Sequence, residues 1–305
     1  MQLSDRALLV QLSISQWTAR KHDKKATQEV AHAHGVNASV GRYHKSLLPA
    51  NDYLAMVHQK AGYIRNKFYE NTLAWGIEGT QLLPTANYLN FINEFRKEKA
   101  EWETLKNLFV ANFPTLKADS KRFLGSLYRE EDYPHESQIA AKFRMDMAVF
   151  PVPSNDFRVQ LGGEELARIQ QDVERRVQDA SASAMKDVWQ RLYDKVDHLV
   201  DKMVKVDDPK SRFHESSIEH VKDLCELLPR LNFADDPNLE AMRHEVEQTL
   251  RLLGIDIPRH AVTMTDKDGM HWAEIKPYDQ LSRREKKERW ERFRLEVTKR
   301  LRAMK

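Results

Sequence analysis

The sequence predicts an α+β protein that is mainly α, in which long antiparallel helices (helical hairpins and a coiled-coil-like rod) carry a small antiparallel sheet. Three observations predict it. The strongest is a run of apolar or small residues at Leu166, Ile169, Val173, Val177, Ala180, Ala184, Val188, Leu192, Val196, Leu199, Met203 and Val206. Their mean spacing of about 3.64 residues is nearer an eleven-residue hydrophobic repeat than a heptad, so the stripe runs nearly straight along a helix. The second is a pair of segments, 51–75 and 88–113, with helical periodicity and aromatic inner faces. The third is a set of alternating segments near 8–16, 142–160 and 261–276, the marks of half-buried strands.

Taken in order, Val10, Leu12 and Ile14 alternate with Gln11, Ser13 and Ser15, which favours a strand over a helix. Asp23 is placed to cap a helix running to about Ala33 and stopping at Gly35, with Asn37 to Ser46 as a connector. Tyr53, Leu54, Val57, Ile64, Phe68 and Leu73 mark the helix of 51–75, and Gly76, Gly79 and Pro84 mark a break. Tyr88, Phe91, Ile92, Phe95, Trp102, Leu105, Leu108 and Phe109 face inward on the next helix, which Pro114 is expected to end. The two helices form a long antiparallel hairpin. A shorter helix follows near Leu116 to Arg129.

Phe143, Met145, Met147 and Val149 then alternate with Lys142, Arg144 and Asp146 as a second strand, and Asp156 to Leu161 is extended again. The rod opens after Gly162-Gly163 with Glu164 and Glu165, and stops at Asp207-Asp208-Pro209. Over that length it would measure roughly 60 Å, so it must lie against other long helices or a partner. Shorter helices are expected over 215–228 and 238–253, and a hairpin over 261–275 turns at Asp268-Gly269. Ser282 and Glu285 make a capping box for a last helix with Trp290, Phe293, Val297, Leu301 and Met304 on its apolar face. The expected regions are 1–162, a helical hairpin with strands, and 163–305, the long helix with its shorter helices, hairpin and basic helix; the same layout also suits one continuous domain.

With 305 residues and 41% hydrophobic residues the chain can bury a substantial core, while a charged fraction of 31% suits long solvated helices better than a sheet enzyme. The net charge of +3 conceals a polarity. Residues 283–305 carry +7 and residues 1–48 carry +4, leaving −8 for 49–282. A chain so polarised can pair its ends with its middle, or offer a basic end to nucleic acid or to an acidic protein. No run of 18 apolar residues suggests a membrane span, and the polar start around Ser4-Asp5-Arg6 does not read as a signal peptide, so a cytoplasmic location is expected. The single Cys225, within Leu224-Cys225-Glu226-Leu227-Leu228, reads as a structural thiol and excludes an internal disulfide.

Several constellations of titratable residues bear on chemistry. Asp194, His198 and Asp201 share one face of the rod, Glu29 and His32 form a single Glu-x-x-His pair, and His214, His220 and Asp223 lie together. A carboxylate-bridged pair of metals needs two Glu-x-x-His motifs, and a solvated helix face accounts for the others, so no metal and no cofactor is expected. Gly162-Gly163 precedes two glutamates, which repel phosphate, and no phosphate loop or nucleophile elbow occurs. The chain is therefore read as not an enzyme. The recognition candidates are Arg283, Arg284, Lys286, Lys287, Arg289, Arg292 and Arg294, a basic cluster partly offset by Glu285, Glu288 and Glu291. Pro151-Val152-Pro153 reads as a strand exit in preference to a polyproline ligand.

The opening strand from Leu9 to Ser15, ending near Trp17, together with Phe-Arg-Met-Asp-Met-Ala-Val-Phe-Pro-Val-Pro-Ser-Asn-Asp-Phe at Phe143 to Phe157, resembles a phage and prophage family catalogued as a domain of unknown function. The resemblance spans most of the chain. It implies a gene neighbourhood with a MoxR-like AAA+ ATPase and a von Willebrand factor A protein similar to cobaltochelatase subunits, hence a protein partner in the host cell cytoplasm. It supplies no catalytic residues. The metal-dependent adhesion motif Asp-x-Ser-x-Ser is absent, so this chain is not itself the adhesion-type subunit. The expected function is thus a non-catalytic interaction or adaptor protein, the alternative being a nucleic-acid-binding accessory protein that uses the basic helix.

Overall fold

The computed structural model describes residues 3–153, 163–204 and 216–252, together with Glu288 and Leu295. Its elements are β1 (Ala7–Ser15), β2 (Arg20–His22), α1 (Lys24–Ala33), β3 (His44–Ser46), α2 (Asp52–Asn71), β4 (Leu73–Ala74), β5 (Thr80–Pro84), α3 (Thr85–Leu124), α4 (Glu136–Ile139), β6 (Arg144–Pro151), α5 (Gly163–Val204), α6 (Ser216–Leu231) and α7 (Pro237–Leu252). The architecture is α+β and mainly α. A four-stranded sheet has the order β4-β5-β1-β6, and β2 pairs antiparallel with β3 in a separate ribbon. The expected strands near 8–16 and 142–150 are β1 and β6. The expected third component of the sheet, 261–276, and the extended segment 156–161 lie outside the described residues.

The chain divides into two compact units. One comprises residues 1–10, 71–89 and 149–305, the other 11–70 and 90–148. The division falls within β1, at the last residue of α2, and within α3 and β6. The expected 162/163 boundary falls at the edge of a stretch outside the described residues.

In the second unit, Asp23 caps α1 as the sequence predicts, its carboxylate accepting from the amides of Lys25 and Ala26 at 3.1 Å each. Gly35 follows at φ +64, a left-handed position that suits glycine just past a helix. Asn51 caps α2 by accepting from Leu54 N at 3.0 Å. Helices α2 and α3 run antiparallel. Phe68 meets Phe91 with ring centroids 6.2 Å apart, while Lys60, earlier on α2, pairs with Glu98 and Glu101, later on α3.

Helix α3 corrects the expected stop at Pro114. It continues unbroken to Leu124 and absorbs most of the separate helix expected near 116–129. Proline in a helix interior removes one hydrogen bond and costs about 3 kcal/mol. Trp102, Phe109 and Phe113 on one side of it and Ser120 on the other are all buried, and each large apolar side chain contributes about 1.5–3 kcal/mol. Apolar burial before the proline outweighs the local penalty, and past it the buried Ser120 hydroxyl donates to Leu116 O at 2.8 Å.

Two shorter stretches also differ from expectation. Helix α2 ends at Asn71, before Trp75, because Leu73 and Ala74 pair with Leu82 and Gln81 as an antiparallel ladder. Gly76 (φ +51) and Gly79 (φ +76) make the turn between those strands, so the expected break contains a hairpin. The Asn37–Ser46 connector ends in β3, where Lys45 sits opposite Lys21.

Lys45 is the most deeply buried cation described. Its ammonium lies 2.7 Å from Asp132, 3.0 Å from Asp23 and 2.6 Å from the carbonyl of Leu127, so all three of its protons have acceptors. Burial alone would lower the pKa of this ammonium; its bonds to Asp132 and Asp23 outweigh that and hold it above the usual lysine value. Burial likewise opposes ionisation of Asp132, and the bonds from Lys45 and Lys21 reverse the effect, leaving its pKa below the ordinary 3.8.

In the first unit the core is a layer in which α5 packs on α6 and α6 on α7, with β4, β5 and the start of β1 at its edge. Trp189, Val188, Leu192, Val196 and Leu199 of α5 are buried against Val221, Cys225 and Leu228 of α6 and Met242 and Val246 of α7. Polar contacts orient the layer. The Trp189 indole donates to Asp236 at 3.0 Å, Arg6 donates to Phe233 O at 2.8 Å, and Arg191 donates to Thr72 O at 2.6 Å.

Two outcomes follow for stability. Leu192→Ala should lower unfolding free energy by about 2–5 kcal/mol, read from the denaturant midpoint. Lys45→Met should cost about 3–5 kcal/mol by leaving two buried carboxylates short of their counter-charge. Because Asp23 and Asp132 have depressed pKa values, their stabilisation is complete above the unfolded carboxylate pKa and is lost as pH falls through the lower folded value. The wild-type midpoint should therefore decline on acidification below about pH 4, and Lys45→Met should lose only the share of that dependence that Lys45 supplies, because Ala26 N still bonds Asp23 and Lys21 still bonds Asp132.

Candidate functional site

Helix α5 bears the predicted stripe over 42 residues, Gly163–Val204, without interruption by proline. Glu164 and Glu165 occupy its first turn, where the unpaired amides and the helix dipole favour negative charge. The stripe is treated differently along its length. From Ala184 to Leu199 its members are buried in the α5–α6–α7 layer. Leu166, Ile169, Val173, Val177 and Ala180 are only half-buried, with Val177 and Ala180 resting on the rim of the core.

Beside that half-buried portion is an open cleft of about 390 Å³, lined by Trp75, Ile77 and Pro153 together with Val173, Val177 and Ala180. Trp75 is buried, and Ile77 next to it is 61% exposed. The β4–β5 turn thus sets an apolar edge along the helix. Two charged residues, Arg176 and Asp179, also line it, and Arg176 donates to Asp172 at 2.7 Å, a carboxylate that Arg175 pairs with as well. Those two guanidinium bonds hold the Asp172 carboxyl below its ordinary pKa. An apolar cleft with a charged rim is suited to receiving an amphipathic protein segment, in the manner of a helix laid in a groove.

Other sequence candidates fall into place individually. Asp194 accepts from Gln190 at 2.7 Å on an exposed face, and His198 beside it is exposed. Glu29 pairs with Lys25 at 3.7 Å, and His32 is exposed. His220 and Asp223 are exposed on α6. Among the described residues no group of three or more His, Cys, Asp or Glu converges on a common point. Val152 is buried in the core beyond β6, which agrees with a strand exit. Arg283, Arg284, Lys286, Lys287, Arg289, Arg292 and Arg294, together with His214, lie outside the described residues. No helix among the described residues is long and apolar enough to cross a membrane.

The contribution of Trp75, Ile77 and Pro153 to the cleft has no local signature in the sequence. They reach α5 across about 100 and 20 residues of chain, through strand pairing that a periodicity cannot register. The one available signal was the turn chemistry of Gly76 and Gly79, which places a hairpin there. Comparison with protein-family models, curated proteins and solved structures gives no match to this chain.

Cys225 is buried in the same layer, and desolvation pushes its thiol up to about 12. The native protein should therefore leave a thiol reagent unreacted at pH 8 over minutes and consume one equivalent on denaturation. Rapid reaction of the folded chain would show that α6 opens locally.

Proposed function

We propose that this chain is a non-catalytic interaction or adaptor protein that engages a protein partner through the N-terminal half of α5 and its adjoining cleft. The observation that supports this most is the change in burial along a single helix. One half of the stripe anchors the layer, while the other keeps five apolar positions half-covered beside an apolar cleft. Coiled-coil-like pairing along that stripe would bury the remaining apolar area, at about 25 cal/mol per Å² removed from water.

The resemblance noted at Leu9–Ser15 and Phe143–Phe157 supplies the partner class: a phage-encoded MoxR-like AAA+ ATPase or its von Willebrand factor A companion. Apolar burial would then provide affinity, and the charges of Arg176 and Asp179 at the cleft would orient the approach. The net +7 of residues 283–305 favours a second reading, a nucleic-acid-binding accessory protein.

Co-expression of the tagged chain with such an ATPase and its companion tests the first reading. The expected result is co-purification at physiological salt, reduced about tenfold, or 1.4 kcal/mol, by Ile169→Glu with Val173→Glu. The thermal midpoint of that variant should stay within about 2 °C, because both positions are half-buried. Failure of the wild-type chain to co-purify would remove the adaptor reading, and equal recovery of the variant would remove α5 from it. Affinity for labelled DNA that drops steeply between 50 and 200 mM salt would put the second reading in its place.

A further inference from the structure

Val40 is the most exposed large apolar side chain among the described residues, at 74%, and it stands in a cluster. Val30, Val36 and Tyr43 are exposed near it, all between the start of α1 and the start of β3 in the second unit. With Ala31 they line an open cleft of about 460 Å³, and His34 and Arg42 line it too.

An ordered backbone holds these side chains outward. Past the end of α1, Gly35 N donates to His32 O at 3.0 Å and Val36 N to Ala31 O at 2.9 Å, the paired bonds of a Schellman ending. Ser39 N donates to Asn37 Oδ1 at 2.9 Å and Val40 N to Asn37 O at 3.0 Å, which turns the chain back. Before β3, Tyr43 N donates to Thr27 Oγ1 at 3.0 Å, and Tyr43 O accepts from Asp23 N at 3.0 Å. Both ends of the loop are thus tied to α1. Val36, Val40 and Tyr43 stay in water although the backbone that carries them is fixed, and apolar groups clustered in this way mark a contact surface.

The charge around the cleft has one sign. Residues 20–45 hold six Lys or Arg and two acids, with four histidines besides. Both acids are engaged elsewhere: Asp23 with Lys45 and the amides that open α1, Glu29 with Lys25 at 3.7 Å. At 3.6 residues per turn, Lys25 and Glu29 fall on the side of α1 opposite Thr27, Ala31 and His34. Lys24, one turn before Thr27, and Arg42 are exposed cations on the cleft side. No carboxylate is among the described side chains that line it.

An occupant must therefore bring apolar side chains and negative charge together. The cleft is too open to bury most of a small molecule, as sites for such ligands do. Its floor is aliphatic, with Tyr43 the single Phe, Tyr or Trp that lines it, so it offers little face on which nucleic-acid bases could stack. A peptide with an apolar residue flanked by carboxylates meets both demands. We propose that the cleft between α1 and residues 36–43 binds a short acidic segment of a partner protein, with an apolar side chain seated among Val30, Val36 and Val40 and a carboxylate paired with Arg42. The proposal does not rest on the α5 reading; it gives the second unit a recognition site of its own.

Selection of random short peptides on the immobilised full-length chain tests it. Enriched peptides should carry an apolar residue next to Asp or Glu. The leading peptide, fluorescently labelled, should bind the wild-type chain and lose about tenfold or more in affinity to Arg42→Glu, and as much to Val36→Ser with Val40→Ser. All three positions are exposed, so the thermal midpoints of both variants should stay within about 2 °C of wild type. Ile169→Glu with Val173→Glu should bind the peptide unchanged, which separates this site from the α5 interface. No enrichment, enrichment of peptides without acids, or binding that survives either cleft variant would overturn the proposal. Binding of a labelled oligothymidylate that is weakened by Arg42→Glu and by added salt, with no peptide enriched, would overturn it in favour of nucleic acid.

Discussion

Burial of the second half of α5 against α6 and α7 is the contact on which the rest of the first unit depends. Val188, Trp189, Leu192, Val196 and Leu199 form a continuous ridge with no solvent-facing member, and α6 and α7 present Val221, Cys225, Leu228, Met242 and Val246 to it. An isolated helix of this length would have only its own backbone bonds and marginal propensity to hold it. Anchored over four turns by this layer, it can project further turns whose apolar residues are less fully buried. The turn between α6 and α7 is closed by reciprocal bonds between Asn232 and Asp236, and Asp236 also receives the Trp189 indole. One carboxylate residue therefore ties the loop to the ridge.

The second unit is specified by a different kind of constraint. Its core is aromatic, with Trp17, Phe109, Phe113 and Phe143 in edge and tilted contacts at 5.5–6.3 Å. At its side a lysine has been taken out of water between two aspartates and a carbonyl. Such a cluster adds little net stability over a well-packed apolar replacement, yet removal of one member is costly. It ties β3, the cap of α1 and the 129–132 turn to one position, which apolar contacts, being non-directional, do less selectively.

On the proposed reading, a helix anchored at one half and half-covered at the other would present an interface. The burial gradient along α5, the apolar edge from Trp75 and Ile77, and the charged rim lie on one continuous surface of the first unit.

The elements whose cause is local are legible in the order of residues alone. The spacing of small and apolar residues fixed α5 to within a few residues, Asp23 and Gly35 bounded α1, and alternation identified β1 and β6. Local patterns suffice there because a periodicity or a cap is a property of neighbouring residues. Tertiary structure decided the rest. The burial of Trp102, Phe109 and Phe113 carries α3 through Pro114, and only pairing with β5 turns Leu73 and Ala74 into a strand. Only the packed layer divides one uniform stripe into an anchored half and a half-covered half. These outcomes depend on groups brought together across many residues of chain, and the energy gained there exceeds the local preferences that a sequence displays.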